Sequence, residues 1–146
     1  MLHDKPEQVS VEVPPAKQLM QMIFGFVTTQ AISVAARLRL ADLLKDGAKS
    51  AEELAQVTGA QARPLYRILR ALASVGIFAE DDAGRFELTP LAEPLRSDTP
   101  DSLRDFSIFI GAEWHWRAWG DLFSCSQSGQ PAFEKIWGKA FFEYLG

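Results

Sequence analysis

The segment from residue 50 to residue 76 constrains the fold more than any other part of the chain. Ser50 and Glu53 have the spacing of a capping box, in which the serine oxygen accepts the glutamate N–H and the glutamate reaches back. Gly59 can end the short helix that follows in a left-handed conformation. The next helix has one apolar face, because its hydrophobic residues fall at i, i+3, i+4 and i+7: Leu65, Ile68, Leu69 and Leu72. Two helices joined by a tight turn are therefore predicted here.

A β-hairpin is predicted directly after these helices. Gly76 ends the second helix, and two short apolar runs, residues 77–78 and 86–88, flank the turn sequence DDAG at residues 81–84. Helix, turn, helix and hairpin in this order indicate a winged helix-turn-helix. We therefore expect a mainly α fold with a small β-hairpin wing and additional helices at both ends.

Residues 16–29 and 30–44 are predicted to form two successive helices, of which the first needs burial on several sides. They follow a charged lead-in that ends in proline, residues 1–15, which we expect to be mobile. Apolar residues occupy nearly every side of the first helix, more than one core-facing stripe requires. A second copy of the chain is the simplest source of that burial, although a central core helix is the alternative. The predicted dimer-interface residues are Leu19, Met20, Ile23, Phe24 and Val27.

The C-terminal third of the chain is dense in aromatic residues. Eleven of the sixteen aromatic residues lie between Phe106 and Tyr144. Apolar spacing predicts helices around residues 106–111, 116–123, 133–137 and 141–145, with a break at residues 124–131. This density favours a pocket wall or a surface that another domain covers, although core packing uses the same residue types.

Composition argues against several classes of function. The net charge of −4 gives no global positive field for nucleic acid or an anionic membrane, and the single Cys125 cannot form an internal disulfide. Polar and charged residues interrupt the longest apolar stretch, residues 19–44, so no transmembrane segment is predicted. Because the N-terminal residues lack the pattern of a signal peptide, we expect a cytoplasmic protein.

The sequence lacks the residue patterns of catalysis, cofactor binding and metal binding. Its two histidines, His3 and His115, are too few for spaced zinc-ligand pairs, and it has no nucleophile elbow, phosphate loop or dinucleotide fingerprint. No basic residue lies close to Cys125 in sequence to activate its thiol. His115 is either a general base or part of a pocket wall, and its tryptophan neighbours favour the wall. We therefore predict no catalytic, cofactor-binding or metal-ligating residue in this chain.

Three arginines form the one basic feature with helical geometry. Arg63, Arg67 and Arg70 fall at i, i+4 and i+7, opposite the leucines, where a DNA-reading helix places its contacts. A solvated helix face commonly carries arginine as well, and acidic residues on adjoining elements would repel phosphate: Glu52, Glu53, Asp81 and Asp82. The solvated face is favoured, and nucleic acid is not a predicted partner.

Four segments, taken in order, resemble the N-terminal region of plant caffeate-type and bacterial polyketide and carotenoid O-methyltransferases. They are AISVAARLRLADLL (31–44), SAEELAQVTGAQARPLYRILRALASVGIF (50–78), GRFELTPLAEPL (84–95) and PAFEKIWGKAFFEYLG (131–146). The resemblance covers nearly the whole chain from about residue 18. Because the second segment alone also resembles many winged-helix regulators, the order of all four segments carries the resemblance.

This resemblance implies an intertwined homodimer whose N-terminal domain helps to form the pocket for the acceptor substrate. It also implies that S-adenosylmethionine and a catalytic histidine belong to a downstream Rossmann-like domain that is absent here. The implied acceptor-pocket residues are Glu113, Trp116, Phe141 and Leu145. One departure is Arg39, where the family's pattern has glycine, so a left-handed turn there is either strained or replaced by a continuous helix.

The sequence thus predicts the N-terminal dimerisation and acceptor-pocket domain of an S-adenosylmethionine-dependent O-methyltransferase acting on a small aromatic or polyketide-like hydroxyl compound. Residues 16–100 would form the dimerisation and winged-helix domain, and residues 101–146 would form aromatic helices that lead toward the catalytic domain. The chain alone should bind no cofactor and methylate nothing. Two alternatives remain open: a winged-helix transcriptional regulator with a hydrophobic ligand pocket, and a stand-alone dimeric scaffold or small-molecule carrier.

Overall fold

The computed structural model describes residues 13–146 and shows a mainly helical chain. Most of the predicted lead-in, residues 1–12 with His3, therefore lies outside the described residues. Over residues 13–146 the structure has a 3₁₀ helix, Glu93–Leu95, and ten α-helices: α1 Pro15–Ile23, α2 Gly25–Arg37, α3 Leu40–Leu44, α4 Ala51–Thr58, α5 Ala62–Ser74, α6 Arg104–Ile110, α7 Glu113–Gly120, α8 Leu122–Ser128, α9 Ala132–Trp137 and α10 Phe141–Leu145.

A small antiparallel sheet contains the predicted hairpin. Its strands are β1 Lys49–Ser50, β2 Phe78–Glu80 and β3 Arg85–Leu88, in the order β1-β3-β2. Phe86 of β3 lies opposite Glu80 on one side and Lys49 on the other. The hairpin prediction is confirmed, whereas β1 was not predicted.

The α4–α5 pair begins and ends where the sequence indicated. The Ser50 Oγ accepts the Glu53 N–H at 3.2 Å, and the Glu53 carboxylate accepts the Ser50 N–H at 2.7 Å. Gly59 ends α4 with a φ of 76°, in the left-handed region that favours glycine. Pro64 lies in the first turn of α5, where its missing N–H costs no helical hydrogen bond.

The two predicted N-terminal helices are interrupted at positions that the sequence analysis did not foresee. The expected helix over residues 16–29 breaks at Phe24, where α1 and α2 meet with a bend of 40°. The expected helix over residues 30–44 divides at Arg39, whose φ of 55° is left-handed. Of the two alternatives stated for Arg39, the left-handed turn is therefore the one present.

Polar contacts hold this left-handed turn in place. The Arg39 guanidinium donates to the Asp42 carboxylate at 3.3 Å and to the Ser97 hydroxyl at 3.1 Å. Asp42 in turn accepts the Ser97 N–H at 2.8 Å and the Ser97 hydroxyl at 3.0 Å. These contacts connect the start of α3 to the loop after the 3₁₀ helix.

The hydrophobic core lies between α2, α3, α4, α5 and the hairpin. Its largest fully buried side chains are Leu40, Leu44, Leu54, Leu65, Leu69, Leu72, Phe78 and Phe86. The i, i+3, i+4, i+7 face predicted for α5 thus contributes three of these residues, and Ile68 packs against them. Among residues 13–146 no single helix is long and apolar enough to cross a membrane, although α1 and α2 together meet that test as a bent pair.

A close helix contact joins the C-terminal third to this core. Gly111, directly after α6, approaches the buried Ser33 of α2 so closely that a Cβ at Gly111 would lie 2.1 Å from the Ser33 Oγ. Gln30 of α2 also donates to the Gly111 carbonyl at 3.4 Å. Further along, the break predicted at residues 124–131 is wrong in part, because Ser124 to Ser128 belong to α8.

Candidate acceptor pocket and dimer surface

Aromatic rings from α6, α7, α9 and α10 form one cluster around Trp114. Its ring centroid lies 5.0 Å from that of Phe109, and three further rings lie 6.0–6.1 Å away: Phe133, Phe141 and Tyr144. Many of these pairs meet edge to face, the arrangement that the quadrupoles of aromatic rings favour. The cluster therefore holds the four short helices together, which accounts for part of the aromatic density.

His115 is held by a hydrogen bond at each ring nitrogen. Its Nδ1 lies 3.1 Å from the Ile110 carbonyl, which can only accept, so Nδ1 carries the proton. The Trp119 indole N–H donates to Nε2 at 3.2 Å, so Nε2 is the unprotonated nitrogen. Because both nitrogens have partners within the chain, this arrangement favours the pocket-wall interpretation of His115 over the general base.

A cavity of about 300 Å³ opens beside this histidine, lined by Ile110, His115, Trp116 and Trp119. The Trp116 ring also meets Phe26 of α2, with 6.4 Å between centroids. Its Nε1 is buried and has no hydrogen-bond partner among the described residues. The family resemblance implied Trp116 as an acceptor-pocket residue, and the sequence also offers Trp119 as an aromatic that could line a site. Trp119 follows His115 at i, i+4, a spacing that lets the two side chains meet.

The four predicted pocket residues do not share one cavity. Trp116 lines the cavity beside His115, whereas Phe141 packs inside the aromatic cluster, 5.3 Å from Phe133 between centroids. Glu113 is the exposed first residue of α7, and Leu145 is exposed at the end of α10. Their role toward an acceptor therefore stays a prediction.

The predicted dimer residues all lie on the surface of the chain. Leu19, Met20, Ile23, Phe24 and Val27 are each exposed, from 43% for Val27 to 60% for Leu19 and Ile23. No residue of α1 is buried. A helix of nine residues is marginal in water without tertiary packing, so this apolar surface needs a cover that residues 13–146 do not supply.

The arginine face of α5 is partly neutralised by the hairpin. Arg70 lies 3.4 Å from the Glu80 carboxylate and above the Tyr66 ring, with 6.0 Å between its guanidinium carbon and the ring centroid. The Tyr66 hydroxyl donates to Glu80 at 2.8 Å, and this bond to a carboxylate raises the pKa of Tyr66. Arg63 and Arg67 are exposed. An exposed arginine row with one member paired to the hairpin fits a solvated helix face.

Among the described residues no group of three or more histidine, cysteine, aspartate or glutamate side chains could hold a metal ion. Cys125 lies half-buried on α8 as a free thiol.

Comparison with known families bears on the methyltransferase and regulator alternatives. Residues 20–98 match the family model of the O-methyltransferase dimerisation domain, which is more than half of the chain. The chain belongs to this family. The family match supports the resemblance found in the sequence and gives no support to the transcriptional regulator.

Individual relatives agree with this assignment. The phenazine O-methyltransferase PhzM of Lysobacter antibioticus is 50% identical over 133 residues, which are 91% of this chain and 39% of that protein. The crystal structure of LaPhzM has a TM-score of 0.85 at 50% identity, over 91% of this chain and 40% of the other. CalO1 is a methyltransferase of calicheamicin biosynthesis that was solved with bound S-adenosyl-L-homocysteine. It has a TM-score of 0.76 at 32% identity, over 92% of this chain and 41% of the CalO1 chain. The chain thus spans about 40% of the length of the relatives it matches.

Proposed function

We propose that this chain is the N-terminal dimerisation and acceptor-pocket domain of a larger S-adenosylmethionine-dependent O-methyltransferase. The observation that carries the proposal is the family match over residues 20–98, together with a fold that superposes on 40% of a longer methyltransferase-family chain. CalO1 binds S-adenosyl-L-homocysteine, which is what S-adenosylmethionine becomes after it donates its methyl group, and this supports S-adenosylmethionine as the cofactor of the parent protein.

The residues described here do not fit S-adenosylmethionine. Their sheet consists of three short antiparallel strands, whereas the doubly wound folds that bind nucleotide cofactors place them at the carboxyl ends of a larger parallel sheet, beside a glycine-rich turn. We therefore assign cofactor binding and catalysis to a region of the parent protein beyond this chain. The chain by itself is expected to bind no cofactor and to methylate nothing.

The acceptor is proposed to be a small aromatic or polyketide-like compound that carries a hydroxyl group. Support comes from the phenazine acceptor in the name of a relative half identical to this chain. The apolar cavity beside Trp116 gives a flat molecule a surface to stack on. We assign the pocket wall to Glu113, Trp116, Phe141 and Leu145, where they would orient the acceptor and exclude water, because in-line methyl transfer depends on geometry.

The proposed parent protein is a homodimer in which the two copies are intertwined. Its interface is formed by Leu19, Met20, Ile23, Phe24 and Val27, whose exposure in the single chain supports this role. We propose that residues 16–100 dimerise and that residues 101–146 lead toward the catalytic domain and face the acceptor. The helix pair α4–α5 with its hairpin would then be a winged helix that serves as a scaffold without DNA. A cytoplasmic location stays a prediction.

The test of this function begins with the mass of the native protein. Intact mass in lysate of the natural source is expected to exceed the 16.2 kDa of this chain by a domain's worth of residues. A native mass equal to 16.2 kDa would contradict the proposal and favour the stand-alone carrier.

The activity of that longer protein is then measured with methyl-labelled S-adenosylmethionine and a panel of hydroxylated phenazines, benzoates and naphthoates. We expect label in an O-methyl product from at least one aromatic hydroxyl compound, with no label transferred by the present chain alone. The matched control is the same panel with each hydroxyl replaced by hydrogen. Label in these control compounds would place the transfer at another atom.

A further inference from the structure

Trp119 is an exposed side chain whose orientation is nonetheless fixed. It is 60% exposed, yet its indole N–H donates to the His115 Nε2 at 3.2 Å. Holding a large side chain in one orientation costs conformational entropy, which a tryptophan that only faces solvent has no reason to lose. The fixed ring lines the cavity of about 300 Å³ beside His115. Trp119 therefore presents a steady aromatic surface to whatever enters this cavity.

His115 is itself held on the side away from Trp119. Its Nδ1 lies 3.1 Å from the carbonyl oxygen of Ile110, at the end of α6. The imidazole ring also lies beside two rings of the aromatic cluster, 5.4 Å from Phe109 and 5.6 Å from Trp114 between centroids. The tautomer that donates to the Ile110 carbonyl is the one whose Nε2 can accept the Trp119 N–H. His115 thus connects the exposed indole to the packed helices α6 and α7.

The lining of the cavity indicates what kind of molecule it suits. Ile110, His115, Trp116 and Trp119 line it, and they include no acid, lysine or arginine. Both ring nitrogens of His115 already have partners within the chain. An anion would therefore lose its water here without gaining a countercharge, whereas an uncharged flat molecule would lose little. Because an indole has two fused rings, it can stack over more of a fused-ring molecule than of a single ring.

We propose that Trp119 is the platform on which a flat, fused-ring acceptor stacks, and that His115 is a positioning residue that holds this platform in place. The inference rests on the proposed methyltransferase function. It adds the ring system of the acceptor and two residues beyond those already assigned to the pocket wall. A ring that is ordered before binding helps because the acceptor then spends no binding energy on ordering it. His115 acts only through Trp119.

Steady-state kinetics of the full-length parent protein test the platform, with saturating S-adenosylmethionine and 1-hydroxyphenazine as the uncharged probe. Trp119→Leu should raise the KM for the probe at least about fivefold, because the stacking contact is lost. Its kcat should stay within about twofold of native, since the contact is made before and during the reaction alike. The matched control is Phe123→Leu on α8, which changes a 74% exposed ring outside the cavity and should leave both constants unchanged.

A second set of variants tests the positioning role of His115. His115→Leu removes the acceptor of the Trp119 N–H and should raise the KM about threefold or more. His115→Gln keeps an oxygen that can accept this N–H and should bring the KM back to within about twofold of native. In a Trp119→Leu background, His115→Leu should cause no further increase, because both changes act through one ring. A histidine that only fills space would add its own effect there.

The outcomes separate this inference from the proposed function. A native protein that methylates other hydroxylated aromatic compounds but not 1-hydroxyphenazine, or a Trp119→Leu variant with the native KM, would overturn the platform and leave the function standing. Loss of helical content in Trp119→Leu, measured by circular dichroism, would assign the ring to the fold and overturn the platform too. Equal KM increases in His115→Gln and His115→Leu, or additive effects in the double variant, would overturn the positioning role. A native protein that methylates no hydroxylated aromatic compound would overturn both the inference and the function.

Discussion

Residues 31–95 and residues 104–145 are both rich in apolar side chains, yet they use them in different ways. The first region buries large leucines and phenylalanines completely, whereas the only buried residue in the second, among those described, is Ala132. In the second region aromatic rings pack on one another at partial burial, while Trp119, Phe123 and Phe142 remain exposed. Helix α1 resembles this second region, since all its large side chains are exposed.

The difference shows that apolar content predicts a need for burial without saying what supplies it. The core of residues 31–95 closes within one chain. The aromatic helices and α1 carry apolar surface in excess of what the described part of the chain covers, as expected for the proposed dimer and the proposed contact with a further domain. Substitutions of the same chemistry in the two regions should therefore differ in their effect on stability.

The largest effect is expected from a leucine truncation in the core. Leu69→Ala removes a side chain that is 0% exposed, so transfer and cavity costs together should lower the free energy of unfolding by about 2–5 kcal/mol. Leu122→Ala makes the same change on an exposed residue of α8 and should cost less than about 0.5 kcal/mol. Urea unfolding followed by circular dichroism measures both variants. Equal losses of unfolding free energy would contradict the difference in packing between the two regions.

The contact between the two regions gives the next largest effect. Gly111→Ala places a Cβ 2.1 Å from the Ser33 Oγ and should destabilise the chain by about 1–3 kcal/mol. Gly120→Ala is the matched control, because nothing lies within 4 Å of its added Cβ. Ser33→Gly should restore part of the loss in the double variant. If the Gly111→Ala and Gly120→Ala variants unfold at the same temperature, the close contact between Gly111 and Ser33 of α2 does not exist.

Much of the packed region could be predicted from sequence, because its signals are local. The capping box at Ser50, the left-handed Gly59 and the apolar face of α5 each depend on residues within two turns of one another. The hairpin also follows from local turn chemistry. These elements were predicted with their order, and the family resemblance rested on the same segments.

The sequence did not predict α8 or β1, because tertiary contacts override the local residue pattern at both elements. The α8 helix contains serines and glutamine that indicate a loop, but Lys135 of α9 donates to Asp121 at 3.0 Å and to Ser124 at 2.7 Å across it. Strand β1 has two residues, too few for a periodic signal, and it exists by pairing with β3. The site was predicted less well than the fold, because which apolar residues share a cavity depends on helix packing.

A smaller effect is expected at the left-handed residue. Arg39→Val puts a β-branched side chain at a φ of 55° and should lower the unfolding free energy by about 1–2 kcal/mol. Arg39→Gly removes the backbone strain along with two exposed polar contacts, and should leave stability near that of the native chain. Thermal unfolding of the two variants compares their stabilities directly. A glycine variant that is less stable than the valine variant would contradict the left-handed conformation at residue 39.

The smallest effect concerns pH. Hydrogen bonds from Arg96, supported by Lys45, lower the pKa of Asp98 from 3.8 to about 2. Because the folded pKa lies below the unfolded one, the contribution to stability is present above about pH 4 and is lost as the pH falls toward 2. The native chain should lose slightly more stability over this window than Asp98→Asn, as measured by urea unfolding at each pH. If the unfolding free energies of the native chain and of Asp98→Asn change in parallel with pH, the exposed ion pairs of Asp98 do not contribute to stability.

The central claim is that the exposed apolar surface of α1 is an interface between two copies of this chain. Sedimentation equilibrium of the chain, with Ile23→Asp as the variant that places a charge in that surface, tests it most directly. We predict a mass of twice 16.2 kDa for the native chain and a single-chain mass for the variant, with unchanged helical content. A native chain that sediments as a monomer, or a variant that remains a dimer, would contradict this account.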